Sequence, residues 1–359
     1  MDNKVGKNEE SMAFLIDETP EAKTWAEQYV AAQPSGDRLG RLVSAVIWTD
    51  GYLEDGKPIG GSDPSVIVNE INEQGWPLLH GHDPGLPAGR VIAARAFTSP
   101  SGDRFVAAIL AYYESEHLLT FAALGADPFP AVALPTTLTT IDGARIQFVV
   151  DRRDVAESWL DAVFKEAPLS VERVDASYNA ADSLKELIRV GLPYAALVWN
   201  PLVKTIGEQA GKDIYAGIQR WLQKLWMKME ELRDPVVDIQ AQYHGCAVSF
   251  LLRGRDVEQH YAAHAALSAA AVQAAKLIDR FEEHNPRLIT LDYEFEQSRW
   301  IPSYGVMTDG RIVSDRGVLI AYEQVPKSLS MGLLRQEKEE NKRQRQVFLS
   351  YAEEDTRHD

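Results

Sequence analysis

Residues 75–95 read GWPLLHGHDPGLPAGRVIAAR. Two apolar runs flank a loop punctuated by Gly81, Pro84, Gly85, Pro87 and Gly89, so the stretch predicts strand, tight loop, strand. His80, His82 and Asp83 fall within four positions of one another. A loop held by prolines and strand ends places an imidazole reproducibly, which a general base requires. Neighbouring side chains often point apart, so adjacency alone does not make Asp83 the orienter of His82. A metal reading of His80 and His82 needs a further ligand, and His117 is the nearest in sequence.

Outward from this loop, residues 11–150 are mostly strand-like. AFLID, LVSAVIWTDGYL, RVIAARAFTS, RFVAAILAYYE and ARIQFVVD are rich in β-branched and aromatic residues, and DG, SGD and IDG divide them. Two short helices interrupt: PEAKTWAEQYVAA, with Thr19 as cap and Pro20 at its first position, and SDPSVIVNEINEQG. The expectation is a mainly β domain over 1–150.

From about 151 the period becomes helical. DVAESWLDAVFKEA, AADSLKELIRVG and GKDIYAGIQRWLQKLWMKMEELRD read as helices, the last with an apolar stripe of Ile214, Ile218, Trp221, Leu222, Leu225 and Met229 that predicts core packing. Beyond 235 the order is strand, strand, helix, strand, strand. VVDIQAQY and CAVSFLLRG form a hairpin around His244 and Gly245, a long Ala-rich helix covers 256–285, and a DG turn stands at 309–310. The chain therefore predicts an α+β protein: a mainly β domain, then over 151–330 a helical segment and an antiparallel-sheet α+β domain. Residues 331–359 form a charged linker, and the apolar pattern restarts at VFLSY.

Composition bounds the function. The chain has 359 residues, and 37 basic against 53 acidic side chains give a formal charge of −16. An acidic surface repels phosphate backbones and anionic lipids, so nucleic acid and membrane are not expected partners. Cys246 is the only cysteine, which excludes an intrachain disulfide and a cysteine-only metal site. The N-terminus lacks an apolar signal core, so the expectation is a cytoplasmic protein.

PLLHGHDPGLPAGRVIAAR resembles the histidine motif of the tailed-phage prohead maturation proteases. These carry an apolar strand, His-Asp, a short Pro-containing loop, and Gly before another strand. SAVIWTDGYLEDGKPI and the pair VIAARAFTS and RFVAAILAYYE are similar to that family's opening, over about residues 12–115. The resemblance implies a prohead-protease-like fold, with His82 as the catalytic histidine. The family's nucleophile is a serine on a later strand, but LLTFAALGADPFPAVALPTT, where it belongs, has none. Ser115 precedes that stretch and Ser170 follows it; Thr136 and Thr137, at its end, are hydroxyls in a reasonable place. A histidine without a nucleophile forms no acyl-enzyme, so the resemblance implies a fold that has lost catalysis.

QVFLSYAEEDTRHD, residues 346–359, resembles the opening of a TIR domain: an apolar strand, Ser-Tyr, then an acidic turn. In TIR enzymes this strand lies beside the NAD pocket and the catalytic glutamate comes much later. The resemblance implies that NAD is a substrate of a missing TIR domain and that this chain carries no cofactor of its own.

Together the two resemblances imply the sensor, regulatory and assembly region of a bacterial antiphage TIR effector. It would be catalytically inactive, homo-oligomeric, and responsive to a phage protein or other infection signal. The alternative is an active endopeptidase of the prohead class, with His82 as base and Ser115, Thr136 or Thr137 as nucleophile. Weaker patterns are read as structural. His260 and His264 share a helix face without a third ligand, and a surface or capping role is expected of them. Gly207, Gly211 and Lys212 miss the phosphate-loop spacing. Cys246, in an apolar strand, is expected to be buried and inert.

Overall fold

The computed structural model describes residues 14–33, 40–50, 63–80, 83–113, 118–129, 145–151, 154–175, 186–198, 209–282 and 286–315. Among these residues the protein is α+β, with two sheets and seven α-helices.

The first sheet has four antiparallel strands in the order β1 (Leu42–Thr49), β4 (Arg104–Tyr112), β3 (Pro87–Thr98), β2 (Trp76–Leu79). Alternation along β4 sends Val106, Ala108 and Leu110 to one face, where they join Ile67 and Ile71 of helix α3 (Pro64–Gln74). Phe105, Ala107 and Ile109 point the other way, toward Leu15 and Ile16 of α1 (Leu15–Glu18) and Ala22 and Ala26 of α2 (Pro20–Ala32). A strand covered on both faces must be apolar throughout, which explains the unbroken run FVAAILAY. The Asp63 side chain caps α3 by accepting from Ser65 N at 2.8 Å, worth about 1 kcal/mol. Asn72 ties α3 to β3 by donating to Ala94 O and accepting from Ala94 N.

The second sheet has eight strands. Their order is β12 (Ile312–Val313), β11 (Arg299–Met307), β10 (Leu288–Glu296), β9 (Cys246–Arg253), β8 (Pro235–Tyr243), β7 (Glu186–Gly191), β5 (Ile146–Val150), β6 (Val171–Asp175). One face carries Ile188, Val190, Val237, Ile239, Val248, Phe250, Leu252, Leu291 and Tyr293, all fully or almost fully buried. The main core joins this face to α4 (Glu157–Phe164), α5 (Tyr194–Val198), α6 (Gln209–Lys228) and α7 (Val257–Glu282). The α6 stripe lies in that core, with Ile218, Trp221, Leu222, Leu225 and Met229 buried. Each such side chain removed from water contributes roughly 1.5–3 kcal/mol. Trp221 and Trp159 donate their indole N–H groups to Val163 O and Lys228 O, so neither ring is buried with an orphan donor.

Four sequence expectations are corrected. Within AFLID, Leu15, Ile16 and Asp17 belong to the helical turn α1 and not to a strand, and adjacent Leu15 and Ile16 are both buried, which strand alternation does not allow on a one-sided sheet. ELIRVG within AADSLKELIRVG is strand β7, because a strand buried on both faces shows no clear period of two. ARIQFVVD supplies β5, which pairs with β6 and β7 in the second sheet, not the first. That sheet is mixed, not antiparallel. β9 with β10, β7 with β8, and β5 with β6 run parallel, and each of these connections passes through helix. GVLIAYEQV, residues 317–325, whose apolar run also reads as a strand, and all of 331–359 lie outside the described residues.

Candidate functional site

The face of the large sheet opposite the helices is polar. Strand register puts Arg189 (β7), Asp238 and Gln240 (β8), Ser249 and Arg253 (β9), Asp292 and Glu294 (β10) and Tyr304 (β11) on this face. Leu187, Val236 and Leu251 form a small apolar patch among them.

The loop between β2 and β3 lands on this face. Its backbone is closed by His80 N to Leu86 O (2.9 Å), Asp83 N to His80 O (3.1 Å) and Leu86 N to Asp83 O (2.9 Å). Asp83 is 3% exposed. Arg253 donates Nη1 to Asp83 Oδ2 and Nη2 to Asp83 Oδ1, both at 2.6 Å, and Nη2 also reaches Glu294 Oε1 at 2.8 Å. A planar guanidinium gripping a carboxylate through both oxygens is the strongest geometry available to an ion pair. Its charge is fixed: burial opposes the cation, but the hydrogen bonds and charges of Asp83 and Glu294 push Arg253 further up.

Two neutral contacts complete the joint. Tyr304 donates its hydroxyl to Pro84 O at 2.8 Å, and Tyr113, just past β4, shares an apolar cluster with Tyr304, Val306 and Ile312. Gly85 lies directly over the clamp, where a Cβ would collide with Glu294 Oε1 and Arg253 Nη2. Gly89 allows β3 to approach β4, since a Cβ there would meet the Ala111 carbonyl.

Beside this joint sits a buried carboxylate pair. Asp238 is fully buried and accepts from Arg189 Nε (2.9 Å), Gln240 Nε2 (2.9 Å) and the Ser249 hydroxyl. Asp292 is held well above the ordinary carboxylate range, first by burial and then by the negative charge of Asp238, while hydrogen bonding with Tyr304 and Ser249 and the charge of Arg189 oppose the shift only in part. Burial and the neighbouring charge thus favour the protonated form of Asp292, while Asp238 faces the Arg189 guanidinium. Burial also raises the Tyr113 and Tyr304 hydroxyls, which keeps both as donors.

No protein-family model matches the chain, and neither do curated proteins or solved structures.

Of the sequence-derived candidates, His82, Ser115, Thr136, Thr137 and His117 lie outside the described residues. His80 is half-buried at the start of the loop. Ser170 immediately precedes β6, where its carbonyl accepts from Ile146 N, and it stands in the second sheet. Cys246 is buried, and burial pushes its thiol up, so it is not a nucleophile. His260 is fully buried, against the expectation of a surface or capping role, because α7 turns this residue onto Trp226, with ring centroids 6.0 Å apart. Burial lowers both His260 and His264. Lys212, in the discounted phosphate-loop pattern, falls within α6. Sequence reading missed Arg253, Glu294, Asp238, Asp292 and Tyr304. The available signal was an aspartate in the middle of two apolar strands, VVDIQ and ITLDYEF, since a charge there is rarely buried without a partner. Among the described residues no helix is long and apolar enough to cross a membrane.

Proposed function

We propose that this chain is the sensor, regulatory and assembly region of a cytoplasmic bacterial TIR-domain antiphage effector, and that it performs no peptide-bond chemistry itself. In this reading residues 12–115 are a prohead-protease-like module turned to recognition of a phage protein or other infection signal. The homo-oligomer then brings together TIR domains that hydrolyse NAD. The observation that carries the non-catalytic part is the Asp83–Arg253–Glu294 clamp. The loop that resembles a protease's histidine motif is tied by both oxygens of Asp83 to a strand of the other sheet. A loop with that anchor suits transmission of strain between two sheets.

Two measurements test the reading. The 359-residue chain is treated with a fluorophosphonate probe, beside a His82→Ala variant. No labelling of either supports the proposal. Labelling lost in His82→Ala refutes it and favours a prohead-class endopeptidase with Ser115, Thr136 or Thr137 as nucleophile. The protein encoded by the complete reading frame is then assayed for NAD hydrolysis with and without phage lysate. Lysate-dependent hydrolysis supports the proposal, and its absence removes the TIR half.

A further inference from the structure

The turn that joins β8 to β9 points at the end of α7. His244 occupies the left-handed region with φ 47°, and its ring stacks on Tyr243, with centroids 4.1 Å apart and planes 14° from parallel. This stacking aims Nδ1 at the last turn of α7, where Asp279 and Glu282 share one face at a spacing of three residues. Nδ1 lies 3.3 Å from Asp279 Oδ1 and 3.1 Å from Glu282 Oε2, and one ligand atom from each of the three residues falls within 4.8 Å of the others.

We propose that His244, Asp279 and Glu282 form a binding site for a divalent transition-metal ion such as zinc, which pins the β8–β9 turn to the end of α7. It does not depend on the function proposed above. Ligand atoms about 2.1 Å from a shared tetrahedral ion stand roughly 3.4 Å apart, and two of the three edges already have that length. The side chains are each between a third and two-fifths exposed, so an ion can enter and a water can take the fourth position.

An ion pair with a protonated His244 is the simpler arrangement, and one detail counts against it. Asp279 Oδ1 is sealed from solvent and accepts no hydrogen bond, although Nδ1 is within reach. With a proton on Nδ1 this oxygen keeps an ion pair at 3.3 Å that lacks hydrogen-bond geometry, whereas a metal ion satisfies all three atoms at once. Tyr243 donates to Asp279 Oδ2 at 3.3 Å, the supporting bond that orients a ligating carboxylate. Two carboxylates in the last turn of a helix also face the negative end of its dipole, which favours a cation beside them. One imidazole nitrogen with two carboxylate oxygens suits zinc, manganese or cobalt better than magnesium or calcium.

The test is titration calorimetry of the 359-residue chain with Zn²⁺ at pH 7.5, in parallel with His244→Ala and Glu282→Gln. Far-UV circular dichroism checks the fold of each. The expected result is that His244→Ala binds one Zn²⁺ fewer than the wild type, that Glu282→Gln weakens the same site, and that Tyr243→Phe weakens it about tenfold. Co²⁺ in the wild type should give visible absorption that His244→Ala lacks. Equal stoichiometry and affinity in the wild type and both ligand variants overturns the proposal, as does a wild type that binds no Zn²⁺. Should His244→Ala misfold, Glu282→Gln and the Co²⁺ spectrum decide alone.

Discussion

Replacing Arg253 with methionine keeps most of the side chain's apolar stem and removes every donor. Three charge-assisted hydrogen bonds disappear, at 2.6, 2.6 and 2.8 Å. Asp83, with 3% of its side chain exposed, and Glu294, with 16%, lose the charge of Arg253 while remaining neighbouring carboxylates. Removing one partner of a buried pair costs about 3–5 kcal/mol, mostly because the survivor keeps its desolvation penalty. The two carboxylates also repel one another, but Arg253 is a third exposed, so a loss toward the lower end of that range is expected. A domain's stability is commonly about 5–15 kcal/mol, so Arg253→Met should shift the urea midpoint strongly. Tryptophan fluorescence reports both sheets in one titration, since Trp48 and Trp76 lie in the first and Trp226 and Trp300 pack on the second. Asp83→Asn is the companion variant. It keeps an oxygen for Gly85 N, which donates to Asp83 Oδ1 at 3.0 Å, and Arg253 retains Glu294. Its own cost should therefore be smaller. The double variant should fall short of the sum of the singles by about 0.5–3 kcal/mol. An Arg253→Met loss below about 1 kcal/mol, the level of an exposed pair, would refute the clamp as a joint between the sheets. So would additivity within about 0.5 kcal/mol.

Three further outcomes are expected. Gly85→Ala should destabilise by about 1–3 kcal/mol, since its methyl meets the clamp's charged atoms; an unchanged urea midpoint would place the loop elsewhere. His260 and His264 are both held below the ordinary histidine range by burial. Above about pH 6.5 each is neutral in both states; below it the unfolded chain takes up protons first, so stability falls by up to about 1.4 kcal/mol per pH unit for each histidine. His260→Leu should flatten the slope of unfolding free energy between pH 6.5 and 5, and an unaltered slope would show that His260 titrates normally. Asp292 behaves in the opposite sense: its raised folded value means that the unfolded chain ionises first as pH rises above about 4, so wild-type stability declines toward alkaline pH. Asp292→Asn should remove that decline and gain on the wild type as pH rises above about 4 in chemical denaturation, whereas a constant gap between the two would refute the raised Asp292 carboxyl.

Much of the architecture was legible because local rules carried it. The α2 and α3 helices, the β8–β9 hairpin and the α6 stripe each depend on residues a few positions apart, although Thr19, expected to cap α2, makes no side-chain capping bond there. The mixed sheet was legible in principle: a helix standing between CAVSFLLRG and RLITLDYEF already requires a crossover, and a crossover places its strands parallel when they pair. What misled was the expectation that a single one-sided antiparallel sheet would follow. β7 was unreadable for a different reason. Glu186 opens this strand, 2% exposed, with Arg233 and the Asp234 N–H as partners, and the chain that supplies them lies nearly fifty residues on. Burial pushes the Glu186 carboxyl up, but those hydrogen bonds outweigh it and hold it below the ordinary value. Without them in view, a glutamate beside Leu-Ile reads as the polar face of a helix.

The same separation decides how the loop at 75–95 is understood. Glycines, prolines, histidine and aspartate on a short strand connection form the composition of an active-site loop and equally that of a structural strut. Conformational restriction serves both: it holds an imidazole for chemistry, and it holds a carboxylate for an ion pair. The distinction lies in what the restricted groups face. Asp83 faces Arg253, 170 residues away in sequence, and Pro84 faces Tyr304, 220 residues away. Such contacts leave no local trace, because the selection they impose falls on a strand that must also pack a core on its other side. Arg253 ends an otherwise apolar strand, and Asp238 and Asp292 interrupt two others. Charges placed there have a cost unless something returns to meet them. Three unexplained charges on neighbouring strands therefore mark a face that a distant part of the chain, rich in small and rigid residues, must cover. In this protein the loop between β2 and β3, through Asp83, Pro84 and Gly85, is one of the parts that cover it.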